Sequence, residues 1–178
     1  MFTGGVTIRT DYIKPDVMKS LLDALTYENR LVLIVSLTTG LRLSDVLNLK
    51  TSDIKDRFTV RELKTGKNRT VRLSPKLLDE LLSVAGKIFV FENRLDYRKH
   101  RTRQAVFKDL KRASRLFRVP CNVVVAPHTA RKIYAVSEYQ GTANIKRVQE
   151  LLNHSSEAVT VLYAMADEIT AKKYKSSR

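Results

Sequence analysis

The chain has 178 residues, 43% of them hydrophobic, and carries 33 lysines and arginines against 18 aspartates and glutamates, a formal net charge of +15. That is the size of one domain with enough apolar content for a core, and the charge excess suits a polyanionic partner, nucleic acid first because the charge is clustered. One cysteine, Cys121, excludes an internal disulfide, and the longest apolar stretch, Leu31 to Leu37, is far short of the roughly 20 residues that span a bilayer. The N-terminus lacks a basic-then-apolar signal pattern, so a soluble, cytoplasmic protein with no membrane partner is expected. Neither an internal repeat nor a composition shift divides the chain, and residues 1–178 are expected to form a single domain.

Residues 1 to 13 read as an extended lead-in. Pro15 suits the first turn of a helix, and Val17, Met18, Leu21, Leu22 and Leu25 follow at helical spacing. A second helix begins near Glu28. It is apolar on nearly every side, which places it in the core, and Gly40 ends it. In Thr39-Gly40-Leu41-Arg42-Leu43-Ser44-Asp45, Ser44 reads as the N-cap of a short helix. Arg42 then lies between two buried helices and needs an anionic partner, either a carboxylate such as Asp45 or a phosphate matched to its planar fork.

From Ile54 to Leu73 the period falls to two. Phe58, Val60 and Leu63 form one run, Thr70 to Leu73 another, and Lys64-Thr65-Gly66-Lys67-Asn68-Arg69 the basic hairpin tip between them. Such a tip is ordinarily solvated; a lysine held there can also reach a DNA backbone or donate a proton. Ser74-Pro75 begins a helix with Leu77, Leu78, Leu81 and Leu82 inward. Ile88 to Phe91 is a short apolar segment.

Asn93 to Val119 is strongly basic, opposed only by Asp96 and Asp109. Ala105-Val106, Leu110, Ala113 and Leu116-Phe117 supply its helical apolar face. Lys67, Arg69, Arg98, Lys99, Arg101, Arg103 and Lys132 are the expected phosphate contacts, with a solvated face as the alternative. His100 reads as surface.

After an apolar connection, Pro127-His128-Thr129-Ala130-Arg131 opens a helix that sets His128 and Arg131 on one face, with Gly141 expected to break it. Ile145, Val148, Leu151 and Leu152 define the next helix. His154 follows, then a Ser155-Ser156 helix start and a helix from Glu157 to Ala166 carrying Tyr163. Asp167 to Arg178 is either a small helix or a mobile tail. The expected fold class is α+β, mainly α-helical, with a small antiparallel β-hairpin.

No CxxC, HExxH, acidic cluster or glycine-rich phosphate loop is present, so no metal and no cofactor are expected. What remains is two arginines, a lysine, two histidines and a tyrosine in a basic chain. Arginines can neutralise a pentacoordinate phosphate, an acid can protonate the leaving oxygen, and a tyrosine can attack.

In their order and spacing these motifs resemble the catalytic domain of the tyrosine recombinases, the phage integrase family, over roughly residues 14 to 165. The resemblance implies that Arg42 and Arg131 clamp the scissile phosphate while His128 and His154 hydrogen-bond its oxygens. By the same resemblance Lys64 protonates the 5′ oxygen, Tyr163 forms a 3′-phosphotyrosine and Asp45 orients Arg42. It further implies double-stranded DNA as substrate, self-association in a tetrameric synapse, accessory DNA-bending proteins as possible partners, and a terminal tail over 166–178 that can dock on a neighbouring protomer. Family members usually carry a preceding core-binding domain, so a catalytic fragment is expected, with a short family member as the alternative. Asn153 and Ala130 depart from the glycine and leucine usual in the family. A type IB topoisomerase and a basic DNA-binding module with a dead site are the competing functions.

Overall fold

The computed structural model describes residues 10–120, 122–154 and 157–175; the lead-in over residues 1–9, Cys121 and the Ser155-Ser156 helix start lie outside the described residues. Among those described, nine α-helices surround one two-stranded antiparallel sheet. The order is α1 (Pro15–Asp23), α2 (Tyr27–Thr39), α3 (Leu43–Leu47), β1 (Arg57–Arg61), β2 (Asn68–Arg72), α4 (Pro75–Val84), α5 (Arg103–Leu116), α6 (Pro127–Thr142), α7 (Ile145–Leu152), α8 (Glu157–Ala164) and α9 (Ala166–Lys175).

Helix α2 is the hub. Leu31, Val32, Leu33 and Val35 are fully enclosed, and α1, α3, α4, α5 and α6 all pack against it. Its N-terminus is capped from another helix: Asp109 of α5 accepts from the Thr26 backbone N–H at 2.9 Å, the Thr26 hydroxyl at 3.0 Å and Asn29 Nδ2 at 2.8 Å. One carboxylate thus satisfies a donor that the helix cannot and fixes α5 against α2.

At its other end Gly40 sits in the left-handed region at φ 66°. Beyond it Arg42, not Ser44, occupies the N-cap of α3. The expected Ser74 cap forms, its hydroxyl accepting from the Leu77 N–H at 3.3 Å.

Strand β1 pairs with β2 so that Phe58 faces Val71 and Val60 faces Arg69, with alternate residues buried. That parity places Glu62, two residues beyond Val60, inward, and leaves Leu63 59% exposed. Leu63 therefore does not extend the apolar run. Val17, Leu82, Leu116 and Phe117 are also exposed, and α6 runs through Gly141 to end at Ala143, in the left-handed region at φ 50°. Glycine costs a helix only about 1 kcal/mol, which the burial of α6 outweighs.

Helix α8 ends at Ala164, and the expected tail begins as α9, folded onto its own chain. Thr170 of α9 accepts from the Tyr12 N–H at 3.1 Å, and Asp167 accepts from Gln140 of α6 at 3.1 Å. No helix among the described residues is long and apolar enough to cross a membrane.

A β-carbon at Gly40 would lie 2.4 Å from the Tyr134 ring, whereas one at Gly66, also at φ 66°, would meet nothing within 4 Å. Gly66→Ala is expected to cost about 1 kcal/mol, the backbone penalty alone. Gly40→Ala should cost clearly more, because Tyr134 must also move. Urea midpoints of the two variants check the order, and equal losses would contradict the close packing at Gly40.

Candidate active site

Arg131 lies at the centre, 1% exposed near the N-terminal end of α6. Its Nη1 donates to the carbonyl of Gly40, just past α2, and its Nη2 to the carbonyl of Leu152, the last residue of α7. A buried cation is thereby held by the negative ends of two helices. Burial, then repulsion from Arg42 and Arg69, lowers its pKa to about 10, and it stays charged at neutral pH.

Asn153 makes this arrangement possible. It follows α7 in the left-handed conformation, at φ 49° and ψ 40°, and the His154 N–H closes back on the Gln149 carbonyl at 3.1 Å. This turn leaves the Leu152 carbonyl to Arg131 and directs His154 toward the cavity. The conformation favours glycine, and asparagine is the usual substitute, which accounts for Asn153 physically. Ala130 is fully buried.

A cavity of about 450 Å³ opens over Arg131 and is also lined by Arg42, Lys64, His128, His154 and Tyr163. The six candidates, from the N-terminal ends of α3 and α6, the hairpin tip, the end of α7 and α8, face one space. Arg103, at the start of α5, lines it too. The His154 and Tyr163 rings meet edge-on, centroids 5.0 Å apart, and His154 Nδ1 lies 3.2 Å from the Thr160 hydroxyl. Tyr163 thus stands in the cavity of its own chain.

Burial, then the charge of Arg131, pushes His154 down to about 4 and lowers His128 in the same sense. Both imidazoles are neutral at pH 7 and able to accept a proton. Lys64 is exposed on the turn.

Asp45 does not hold Arg42. It is 1% exposed and accepts from the Leu63 N–H at 2.9 Å, fixing the base of the hairpin tip. Desolvation raises its pKa. The ion-pair partner of Arg42 is Glu62, fully buried, which sequence reasoning missed. The signal was available: Phe58, Val60 and Glu62 share one strand parity.

Three expected phosphate contacts are instead committed inside the fold. Arg69 shares the inward parity of Val71 and bonds the Thr39 and Gly40 carbonyls. Arg101 donates to Asn29 at 2.7 Å and pairs with Glu28 at 3.3 Å. Lys132 is 4% exposed and donates to the Thr10 carbonyl. Lys67, Arg98, Lys99 and Arg103 are exposed, although Arg98 and Lys99 both pair with Asp96. Among the described residues, no three His, Cys, Asp or Glu side chains converge to hold a metal ion.

The fold around this site is that of integrase catalytic domains in solved structures. The lambda integrase fragment 75–356, in a dimer bound to a COC′ core site, superposes with a TM-score of 0.74 at 20% identity, covering 88% of this chain and 60% of that one. The catalytic domain of bacteriophage HP1 integrase superposes with a TM-score of 0.64 at 21% identity over 88% of both chains.

In sequence, the phage integrase family profile matches residues 11–169, and the chain belongs to that family. It is 34% identical to a tyrosine recombinase of Thermosipho africanus, over 86% of this chain and 56% of that protein. It is 31% identical to tyrosine recombinase XerA of Pyrococcus furiosus, over 84% and 53%. Against the probable integrase/recombinase YoeC of Bacillus subtilis the identity is 31%, over 78% of each. The chain spans about half the length of the first two.

The lowered His154 pKa has a sign in stability. An unfolded histidine binds a proton near pH 6.5, the folded one only near 4. Between these values the unfolded state holds more protons, so stability falls as pH drops from about 6.5 to about 4 and this contribution then levels off. His154→Gln should lack that component. Parallel denaturant midpoints for the two proteins across this range would contradict the assignment.

Proposed function

We propose that this chain is the catalytic domain of a site-specific DNA recombinase, cutting and rejoining strands through a 3′-phosphotyrosine. The carrying observation is the convergence of Arg42, Lys64, His128, Arg131, His154 and Tyr163 on one cavity. Membership in the phage integrase family supports it. The matched relatives are recombinases and integrases, which favours strand exchange over swivelling.

In this reading the scissile phosphate enters the cavity between Arg42 and Arg131. Their guanidiniums neutralise the charge that grows on its non-bridging oxygens, where preorganised donors stabilise a transition state most. The Tyr163 oxygen attacks phosphorus as the bond to the 5′ oxygen breaks. The tyrosine proton passes to a neutral imidazole, His154 being the ring against it, and the Lys64 ammonium delivers a proton to the departing 5′ oxygen. One proton leaves and one arrives, and the phosphodiester energy is retained in the tyrosyl ester. A 5′ hydroxyl from a partner strand reverses the steps. The arginines supply the charge neutralisation, so the chemistry needs no metal ion and no cofactor.

Exposed Arg103 at the cavity, with Lys67, Arg98 and Lys99, forms the DNA-facing set. Double-stranded DNA is the substrate, the protein acts in the cytoplasm, and it assembles as a multimer on DNA, in line with the core-site dimer of its structural neighbour.

With supercoiled plasmid in EDTA and a detergent quench, the protein should become covalently attached to DNA. Tyr163→Phe should bind without attaching; a persistent adduct would remove Tyr163 as the nucleophile. Arg42→Ala should slow attachment on the order of 10² to 10³-fold, as for loss of one preorganised donor. DNA affinity should fall with salt at a log–log slope of about −0.9 per phosphate contacted, and a flat response would contradict DNA as the partner.

A further inference from the structure

We propose that Glu62 is a positioning residue for strand cleavage: it fixes the Arg42 guanidinium from beneath and locks it to the hairpin tip that carries Lys64. The inference rests on the recombinase reading above and deepens it.

Glu62 is 0% exposed, and its two oxygens divide the work. Oε2 receives Arg42 Nη1 and, at 3.0 Å, the hydroxyl of Thr65, the residue after Lys64. Oε1 lies 3.6 Å from Arg69 Nη1. The Glu62 backbone closes the tip as well: its N–H donates to the Lys67 carbonyl at 3.0 Å, and its carbonyl accepts from the Gly66 N–H at 2.8 Å. One residue therefore joins the first arginine to the loop of the catalytic lysine through both side chain and backbone. With one nitrogen of Arg42 held from inside the protein, the guanidinium plane is set before a phosphate arrives, and 12% of the side chain is left exposed toward the cavity.

Burial pushes the Glu62 carboxyl up, but Arg42, Thr65 and Arg131 together outweigh it, and the group is held below its ordinary value and ionised at neutral pH. That charge works against the affinity of the site for DNA, since it repels an incoming phosphate. A buried ion pair also adds little net stability compared with an apolar filling of the same space. The contribution that is left is orientation, which predicts opposite effects on binding and on chemistry.

The test is single-turnover formation of the Tyr163–DNA adduct, with DNA affinity at fixed salt and thermal unfolding measured alongside. Glu62→Gln preserves shape and should slow adduct formation on the order of 10²-fold, the scale of an ångström-sized misplacement. Its DNA affinity should be unchanged or tighter, whereas a merely structural loss weakens both. In an Arg42→Ala background the same change should alter the rate by less than about threefold, because a residue acting through Arg42 has nothing left to position. Glu62→Asp retains the charge at shorter reach; it should fold as the native protein does and cleave at an intermediate rate, which keeps the test decisive where the glutamine variant does not fold.

Cleavage by Glu62→Gln within about threefold of native overturns the proposal, as does an undiminished loss in the Arg42→Ala background. With Glu62→Asp, native-rate cleavage overturns it too. A native protein that forms no Tyr163-dependent adduct overturns the recombinase reading itself, and this inference with it.

Discussion

A single buried guanidinium sets the geometry of the site. Among the described residues Arg131 forms no ion pair with a carboxylate; the Gly40 and Leu152 carbonyls bind it, at the ends of helices 91 and 21 residues away in sequence. An unpaired buried charge is among the costliest things a fold can contain, so the ends of α2 and α7 are required to meet at α6. Everything that follows those two ends is carried to the same place. Arg42 comes two residues after Gly40, and His154 two after Leu152. The candidate residues that follow these two ends need no separate mechanism to find one another.

The charges around that centre are graded by depth. Arg131, Arg69, Glu62 and Asp45 lie inside, held in place by helix-end carbonyls, a backbone donor or opposite charges. Arg42 lies half a step further out, and Lys64 and Arg103 stand in solvent. The inner layer fixes positions and the outer layer is free to meet a polyanion. The histidines occupy the boundary, where burial first, and then the cationic field that suits a phosphate, keeps them neutral.

Much of this was legible in the sequence because it is local. Pro15, Ser74-Pro75 and Gly40 mark helix boundaries by backbone chemistry, and the motif residues keep fixed spacings within single elements. The misreadings concern charged residues whose surroundings are set by tertiary structure. Arg101 and Lys132 look like members of solvated runs; only the fold shows Asn29 beside one and the Thr10 carbonyl beside the other. Arg69 and Glu62 are different, since strand parity with Val71 and Val60 already pointed both inward. There the polarity of the hairpin suggests exposure, whereas its period-two pattern points inward. Asn153 teaches the reverse. Its departure from glycine beside His154 has a physical account in its left-handed backbone: the position selects a conformation, which asparagine also supplies.

The placement of Tyr163 follows from how the chain ends. Helix α8 packs on α6 and α7, and α9 begins one residue after Met165 and turns back along α6. Hydrogen bonds to Tyr12 ahead of α1 and to Gln140 in α6 tie α9 down. Presenting Tyr163 to a neighbouring active site would require α8 to leave its seat, breaking the contact with His154 and drawing on the anchors of α9. Within this fold Tyr163 is therefore held for its own cavity. Its position depends on both faces of α6, with Arg131 fixing the site near the N-terminal end and Gln140 securing the chain beyond the tyrosine near the last turn.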